Sequence, residues 1–192
     1  MIRQAIRADL EQVWQIYQQI TFDVSQVNDP KYCAEKQKSG FIVSQDSKED
    51  ISKRIKDSYI FNVFEEEGVV KGLIDINKEI YFPEEAKNIF WMKPELKQSY
   101  FYDPQSTTLH LIVVNPKFQN QGIASQLFDH AITQLKKDSF TKLFAIVTTG
   151  PVTNCPSIVW HAQKGFERVC VTYPIDLFGL KGYSSLLFCR NI

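Results

Sequence analysis

Hydrophobic residues follow two patterns along the chain, a helical spacing of three and four residues and short strand-like runs, and the two patterns alternate from one segment to the next. Apolar residues three and four positions apart predict a helix after Asp9, which can cap it, and a charged helix over 47–56. The same spacing predicts a long amphipathic helix over 122–137 and a short helix over 157–163. The helical pattern therefore predicts about four helices.

Runs rich in β-branched and aromatic residues separate these helices and predict about seven strands. The predicted strands cover residues 2–6, 59–64, 69–76, 107–114, 143–148, 166–173 and 183–189. Turn-forming residues at 65–68 join the second and third strands into an antiparallel hairpin. The order of the elements predicts an α/β fold, an α+β mixed sheet with a crossover in the middle of the chain.

Residues 79–106 interrupt this order and show no regular period. They hold three prolines and seven aromatic residues, among them Tyr81 and Phe82. We interpret the stretch as an excursion between two strands and not as a second domain. The 192 residues, of which 44% are hydrophobic, are then expected to form one domain over 1–192.

Charge and cysteine usage narrow the partners and the compartment. The chain has 22 basic and 22 acidic residues, so its composition provides no long-range attraction to nucleic acid or to an anionic membrane. The four cysteines are widely separated and form no CxxC or Cys/His cluster, which predicts reduced thiols and no metal site. Neither a signal peptide nor an apolar run of membrane-spanning length is present, and we expect a cytoplasmic protein.

One polar loop connects an apolar strand to the start of a helix. It reads Val-Asn-Pro-Lys-Phe-Gln-Asn-Gln-Gly-Ile-Ala-Ser over residues 114–125. The first turn of a helix offers unpaired N–H groups and the positive end of the dipole, and Gly122 and Ala124 let a phosphate approach the backbone. The glycine-rich motifs of nucleoside triphosphate and dinucleotide sites are absent. We therefore expect backbone donors to bind a pyrophosphate here; the alternative is an ordinary strand–helix turn.

The loop resembles the signature of the GCN5-related N-acetyltransferase (GNAT) family, [Gln/Arg]-x-x-Gly-x-[Gly/Ala] after a Val-x-Pro strand end. Residues 119–124 match the signature, and residues 114–116 match the strand end. The resemblance implies a GNAT-like acyl-CoA N-acyltransferase fold, with a mixed sheet of about seven strands and about four helices, and acetyl-CoA as co-substrate. The residues implied to bind the cofactor are Gln119, Asn120, Gln121, Gly122, Ile123, Ala124 and Ser125 for the pyrophosphate, and Ile112, Val113 and Val114 for the pantetheine arm.

A second match lies over residues 154–166. The family pattern is Asn-x-x-Ala-x-x-x-Tyr-x-Lys-x-Gly-Phe, and its Asn, Gly and Phe align with this chain without gaps. Ser157 replaces the small alanine, His161 stands where the family usually has tyrosine, and the lysine comes one place late. The resemblance implies that Asn154 and Ser157 contact the cofactor. Asn154 can equally cap the following helix, because Pro156 suits a first turn.

Transfer of an acyl group from a thioester to an amine requires a base, donors for the oxyanion and a proton for the thiolate. His110 is the candidate base, because an imidazole accepts a proton near neutral pH, and strict alternation places it on one strand face with Ile112 and Val114. His161 is the candidate acid by its position, and the resemblance implies the Val114 N–H as oxyanion donor. Each histidine could instead be structural.

The acceptor site is expected to form from residues 20–46, the excursion 79–106 and the final strand pair. Aromatic walls with few charges favour a small-molecule primary amine with an apolar or aromatic body, bound by a monomer or homodimer; the aromatics could instead cover the sheet. No acidic cluster stands out beyond residues 65–67, so a polyamine is not favoured. Two alternative functions are a non-catalytic acyl-CoA-binding regulatory module and an N-acetyltransferase of proteins or peptides.

Overall fold

The computed structural model describes residues 1–78 and 89–192, and a mixed β-sheet runs through this part of the chain. Its nine strands in the described residues are β1 (Ile2–Gln4), β2 (Ile60–Glu66), β3 (Val69–Asn77), β4 (Ile89–Trp91), β5 (Ser106–Val114), β6 (Lys142–Gly150), β7 (Glu167–Thr172), β8 (Ile175–Leu177) and β9 (Leu180–Asn191). They lie in the order β1-β2-β3-β5-β6-β9-β7-β4, and β8 pairs with β9. Only the β5–β6 pair is parallel among these described strands.

Helices cover both faces of the sheet. Those that the described residues contain are α1 (Leu10–Ile20), α2 (Pro30–Ser39), α3 (Lys48–Asp57), α4 (Leu96–Tyr102), α5 (Ile123–Lys137) and α6 (Cys155–Gln163). The apolar side of α5 packs on one face of the sheet. The apolar sides of α1 and α3 pack on the other face, over Phe61 and Val63 of β2 and Val70 and Leu73 of β3. None of these helices has the length and apolar character needed to cross a bilayer.

The predicted fold class is confirmed, and the structure adds four short elements to the prediction. Two of them, β4 and α4, lie in the stretch that we expected to be irregular, and β8 lies just before the last strand. The fourth, α2, begins at an Asp29-Pro30 cap, where the Asp29 carboxylate accepts a hydrogen bond from the N–H of Lys31. Tyr81 and Phe82 of the predicted excursion lie outside the described residues.

Asp9 does not cap α1 in the way its position suggested. Its carboxylate accepts two hydrogen bonds from the guanidinium of Arg3, at 2.7 and 2.8 Å, and one from the N–H of Ile6 at 2.8 Å. These bonds hold the pKa of the Asp9 carboxyl below its usual range. Asp9 therefore ties the start of α1 to β1.

A β-bulge in β5 changes which residues share a face with His110. Leu109 pairs with Ile76 and Leu111 pairs with Asp75, so His110 is the extra residue between two ladder partners. Beyond the bulge, Ile112 and Val114 pack with Leu109 on the α5 side. His110 lies toward the charged residues of the opposite side, so the expectation that it shares a face with Ile112 and Val114 was wrong.

Candidate active site

A cavity of about 840 Å³ opens where β5 and β6 separate. The two strands pair only from Ser106 and Lys142 to Leu109 and Ala145. Beyond these residues β5 is paired only at its other edge, with β3. The final residues of β5 and β6 face each other across the cavity. Such a gap leaves one backbone edge of β5 available, and an extended ligand can add to that edge as a strand would.

The N-terminus of α5 forms one end of this cavity. Gly122 occupies the cap position in the left-handed region, with φ of 75°, and provides no side chain to satisfy the first N–H groups of the helix. Asn120 is also left-handed, with φ of 62°, so the loop turns sharply just before the helix. A β-carbon built on Gly122 would meet nothing within 4 Å. The geometry suits a phosphate bound by backbone donors and the helix dipole.

The structure brings the predicted site residues together around this one cavity, with one exception. Gln121 is exposed and does not line it. The predicted residues that line the cavity are His110, Ile112, Val113, Val114, Gln119, Asn120, Gly122, Ile123, Ala124, Ser125, Asn154, Ser157 and His161. Ile123 is at the same time part of the main hydrophobic core, so it also anchors the first turn of α5.

His110 lies in the cavity wall with its ring exposed on the cavity side. Protein atoms surround the rest of the imidazole and lower its pKa below the ordinary value, and the nearby positive charge of Arg54 lowers it further. Asp75 and Asp46 act in the opposite direction but do not outweigh these effects. The imidazole is therefore neutral at neutral pH and able to accept a proton.

His161 is buried in an aromatic setting on α6. Its ring stacks on Phe188 at 5.5 Å between centroids and meets Phe166 edge to face. Nδ1 donates a hydrogen bond to the carbonyl oxygen of Ser157 at 2.7 Å, which leaves the other nitrogen, Nε2, as an acceptor without a partner. Burial lowers the pKa of His161 to about 4. At neutral pH the ring therefore offers a lone pair and not a proton.

Asn154 connects the start of α6 to the chain before α3. Its Oδ1 accepts the N–H of Ser157 at 3.3 Å, as a helix cap does. Its Nδ2 donates to the carbonyl oxygen of Phe41 at 2.7 Å, in a buried position. The segment 40–46, which we name the acceptor loop, is held on its other side by Ile42, whose backbone pairs with residues 20–22. Both groups of the Asn154 amide are thus engaged within the protein.

The end of the cavity opposite α5 is built by the acceptor loop and by the strands after α6. Thr172, Tyr183 and Ser185 of these strands and Thr148 of β6 provide hydroxyl groups there, and Ile175, Leu177 and Phe178 provide apolar surface. Residues 20–46 and the final strands thus contribute to the cavity lining, and their role in binding the acceptor stays a prediction.

The aromatic excursion plays a different part. Its described residues, 89–106, do not line the cavity; Trp91, Tyr100 and Phe101 pack instead with Phe144 on the sheet. In the described part of the excursion these three aromatic residues cover the sheet, which is the alternative considered above, and none of residues 89–106 lines the cavity.

Sequence reasoning missed a charged cluster beside His110. Arg54 of α3 bonds to Asp75 of β3 and to Asp46 of the acceptor loop, and its guanidinium lies over the ring of Tyr17. Asp75 could have been noticed as a single acid in an otherwise apolar strand, since a buried carboxylate requires a partner. Asp46 and Tyr17 carry no such signal, because only the packing of three separate segments brings them to the cavity.

The whole arrangement combines a backbone anion site, an open strand edge and a neutral imidazole around one cavity. These are the groups needed to hold an acyl-CoA and to deprotonate an acceptor beside its thioester. Within residues 1–78 and 89–192, no group of three or more His, Cys, Asp and Glu side chains could hold a metal ion.

The model of the acetyltransferase (GNAT) family matches residues 10–166 of the chain. The chain therefore belongs to the GNAT family, and the resemblance seen in its two motifs is confirmed. It is an acetyltransferase that uses acetyl-CoA as co-substrate. No curated protein matches the chain closely in sequence.

Solved structures with the same fold include several N-acetyltransferases. An N-acetyltransferase from Staphylococcus aureus Mu50 has 18% identity and a TM-score of 0.63, with 100% of this chain and 97% of that chain covered. The ribosomal-protein-S18-alanine N-acetyltransferase of Escherichia coli has 14% identity and a TM-score of 0.65, with coverage of 100% and 93%. The PaiA N-acetyltransferase of Thermoplasma acidophilum, solved with coenzyme A, has 14% identity and a TM-score of 0.61, with coverage of 100% and 98%. At these identities the similarity establishes the fold.

Proposed function

We propose that this enzyme transfers the acetyl group of acetyl-CoA to a primary amine of a small molecule, by direct attack through a tetrahedral intermediate. The observation that carries the proposal is the single cavity that reaches from the N-terminus of α5 to His110 and the acceptor loop. An acyl donor and an amine can meet in such a cavity without a covalent intermediate on the protein.

The donor is proposed to lie along the open edge of β5. Its pyrophosphate would accept hydrogen bonds from the N–H groups at the start of α5, and its pantetheine arm would run beside Ile112, Val113 and Val114. Gly122 supports this arrangement, because its left-handed backbone and missing side chain leave the first helical turn accessible. Asn120, Ala124 and Ser125 complete the proposed pyrophosphate site.

In the proposed reaction His110 accepts a proton from the attacking amine. The nitrogen lone pair then forms the new C–N bond at the thioester carbonyl, and the backbone N–H of Val114 donates to the oxyanion. The C–S bond breaks as the carbonyl re-forms, the nitrogen releases its remaining extra proton to water, and coenzyme A leaves as a thiolate that takes a proton. Support for His110 is its place in the cavity wall and its lowered pKa, which keep it neutral at the working pH.

His161 is proposed to assist at the leaving group only after it has itself taken up a proton. Its neutral form has the proton on Nδ1, which the carbonyl of Ser157 holds, so Nε2 is an acceptor. A hydrogen bond from the cofactor to Nε2 would satisfy this buried atom. Water is the alternative proton source for the thiolate.

A small molecule is favoured as acceptor because chain segments enclose the far end of the cavity on two sides. The acceptor loop forms one wall, and β8 with the turn to β9 forms the other, with Phe178 between them. Apolar and hydroxyl groups on these walls suit an amine with an apolar or aromatic body. The four free cysteines are compatible with a reaction in the reducing cytoplasm.

The proposal is tested by following the release of free thiol from acetyl-CoA with a panel of amines and with a peptide library. We expect thermal stabilisation by acetyl-CoA and amine-dependent thiol release. Mass spectrometry of the peptide library distinguishes a protein acceptor, and binding without any turnover would indicate a regulatory module. No stabilisation by acetyl-CoA would contradict the proposal at its first step.

A further inference from the structure

A buried carboxylate lies behind the His110 end of the cavity. Asp75 stands on β3 with its side chain fully buried. Its Oδ2 accepts two hydrogen bonds from Arg54, one of them from Nε at 2.8 Å. Its Oδ1 has no partner. A buried carboxylate oxygen without a hydrogen-bond donor destabilises the folded protein, and nearby positive charge reduces this cost.

Arg54 is shared between Asp75 and a second acid. Its Nη1 donates to Oδ2 of Asp46 at 2.8 Å, while its Nε and Nη2 are used by Asp75. No other cation of the described residues is paired with either carboxylate. The formal charges of the three groups sum to −1. Within this cluster of three groups, one unit of negative charge is therefore left uncompensated.

Two residues beside this cluster, Asp46 and Tyr17, line the cavity and have an oxygen atom that Arg54 does not engage. Asp46 lies on the acceptor loop, has a side chain that is 31% exposed, and engages only Oδ2 with Arg54 among the described residues. Tyr17 of α1 also lines the cavity; it is 2% exposed, and its hydroxyl group has no partner. Arg54 covers the ring of Tyr17 at 5.9 Å, so both residues belong to one packed group.

We propose that Asp46 and Tyr17 form a subsite that binds the acceptor as a primary alkylammonium ion beside His110. This inference rests on the proposed function and specifies its acceptor. A primary ammonium has three N–H donors, and the subsite offers acceptors on a carboxylate, a phenol and an imidazole. The cation would also compensate the unbalanced negative charge.

The charge count limits the class of amine. A single uncompensated negative charge matches one ammonium group and leaves nothing for a second one. Beyond the subsite the cavity lining includes apolar and neutral residues, Leu177, Phe178 and Tyr183 among them, and the cation Lys38, which would repel a second ammonium group. The subsite therefore selects monoamines with an apolar or aromatic body over polyamines.

The experiment compares two probes of the same shape on the coenzyme A-bound protein, 2-phenylethylamine and 2-phenylethanol. Binding is measured by calorimetry at pH 7.5, where the amine is a cation. We expect the amine to bind at least ~10-fold more tightly than the alcohol, since a charge-assisted hydrogen bond is strong when partly buried. We expect Asp46→Asn, which still offers an oxygen to Arg54, to remove most of this difference.

Two further variants make the outcome specific. Tyr17→Phe removes the unpartnered hydroxyl, so it should raise the melting temperature and at the same time weaken amine binding. Asp57→Asn removes the same charge from the exposed end of α3 and should leave both affinities unchanged. Equal binding of amine and alcohol, no binding of either, or an Asp46→Asn protein that behaves like Asp57→Asn would overturn the subsite.

The same samples separate this inference from the proposed function. Thermal stabilisation by acetyl-CoA and thiol release with any amine report on the acetyltransferase reaction, whatever the state of the subsite. If these signals are present while the two probes bind equally, the subsite is wrong and the proposed function stands. If acetyl-CoA neither binds nor is consumed, the proposed function is wrong.

Discussion

The side-chain amide of Asn154 donates a buried hydrogen bond of 2.7 Å to the carbonyl oxygen of Phe41. The two residues are 113 positions apart in the chain. Asn154 begins the helix that carries His161, and Phe41 lies in the acceptor loop. This one bond therefore connects the part of the cavity proposed for the thioester to the part proposed for the amine.

Replacement of Asn154 by aspartate separates its two contacts. The carboxylate can still accept the N–H of Ser157 as a helix cap, but it has no donor for Phe41 and places two acceptor oxygens together. We expect faster amide exchange over 40–46 and an amine KM about 10-fold higher, since a lost buried bond costs about 1–3 kcal/mol. Hydrogen exchange followed by mass spectrometry measures the first effect, and steady-state kinetics measure the second.

The matched control is Asn115→Asp, the same change at the cap of the turn after β5. It should leave amide exchange in the acceptor loop unchanged. A different result for Asn154→Asp, namely weaker acetyl-CoA binding with unchanged exchange, would mean that Asn154 acts on the cofactor directly and not through the acceptor loop.

Gly122→Ala should lower both the free energy of unfolding and the affinity for acetyl-CoA, and the loss of affinity should not result from the loss of stability. At φ of 75° an alanine is strained by about 1–2 kcal/mol, and its methyl group would point to the open space before the first helical turn. Gly68 in the β2–β3 turn has nearly the same backbone, with φ of 78°, and equally open surroundings. Both variants should lose similar stability in urea unfolding. Only Gly122→Ala should lose acetyl-CoA affinity, and equal affinities would place the pyrophosphate elsewhere.

His161 should make the protein less stable in mildly acidic solution. Its pKa is about 4 in the folded protein and ~6.5 when unfolded, so the unfolded chain binds more protons between these values. Stability from this group is therefore complete above pH ~6.5 and falls as the pH decreases toward about 4. The shift corresponds to about 3 kcal/mol.

Unfolding experiments from pH 7 to pH 4 on wild type and His161→Phe test this expectation. Phenylalanine keeps the ring packing against Phe188 and Phe166 but cannot take up a proton. The variant should lose distinctly less stability over this range than the wild type. His130→Gln, on the exposed side of α5, should follow the wild type. Parallel curves for wild type and His161→Phe would show that another group controls the acid response.

The cofactor end of the site could be predicted because its determinants are local in sequence. A strand, a turn and a helix start within residues 114–125 contain the whole proposed anion site, and the structure places Gly122 at the cap as the pattern predicted. Asn154 was likewise readable, both as a cap and as a cavity residue. Backbone geometry of this kind follows from a few neighbouring residues.

The charged cluster beside His110 could not be predicted, because it depends on contacts between distant segments. Tyr17, Asp46 and Asp75 come from α1, the acceptor loop and β3, and Arg54 joins two of them. The orientation of His110 depends on a β-bulge. A bulge changes which face of the strand the following side chains occupy, and no residue type in this segment indicates it.

The pH dependence of the reaction tests whether His110 is the base. The protein atoms around part of the ring and the charge of Arg54 hold its pKa below the ordinary value, so the ring has lost its proton at pH ~6.5 and can act as a base above that pH. With saturating acetyl-CoA and amine, kcat should rise with pH on a limb below ~6.5 and then level off. His110→Gln keeps a hydrogen-bonding side chain but removes the base, and should lower kcat by ~100-fold or more and abolish the limb.

The stability and cofactor affinity of His110→Gln decide how such a loss is interpreted. Because the His110 ring is exposed in the cavity wall and β5 is held by β3, we expect both quantities to remain close to those of the wild type. A lower kcat with unchanged acetyl-CoA binding then assigns the proton transfer to the imidazole. If His110→Gln retains kcat within a few-fold and shows the same acid limb, the proton goes elsewhere. The cavity would then require a water molecule or the Asp46 carboxylate as base, and Asp46→Asn measured over the same pH range would distinguish these two.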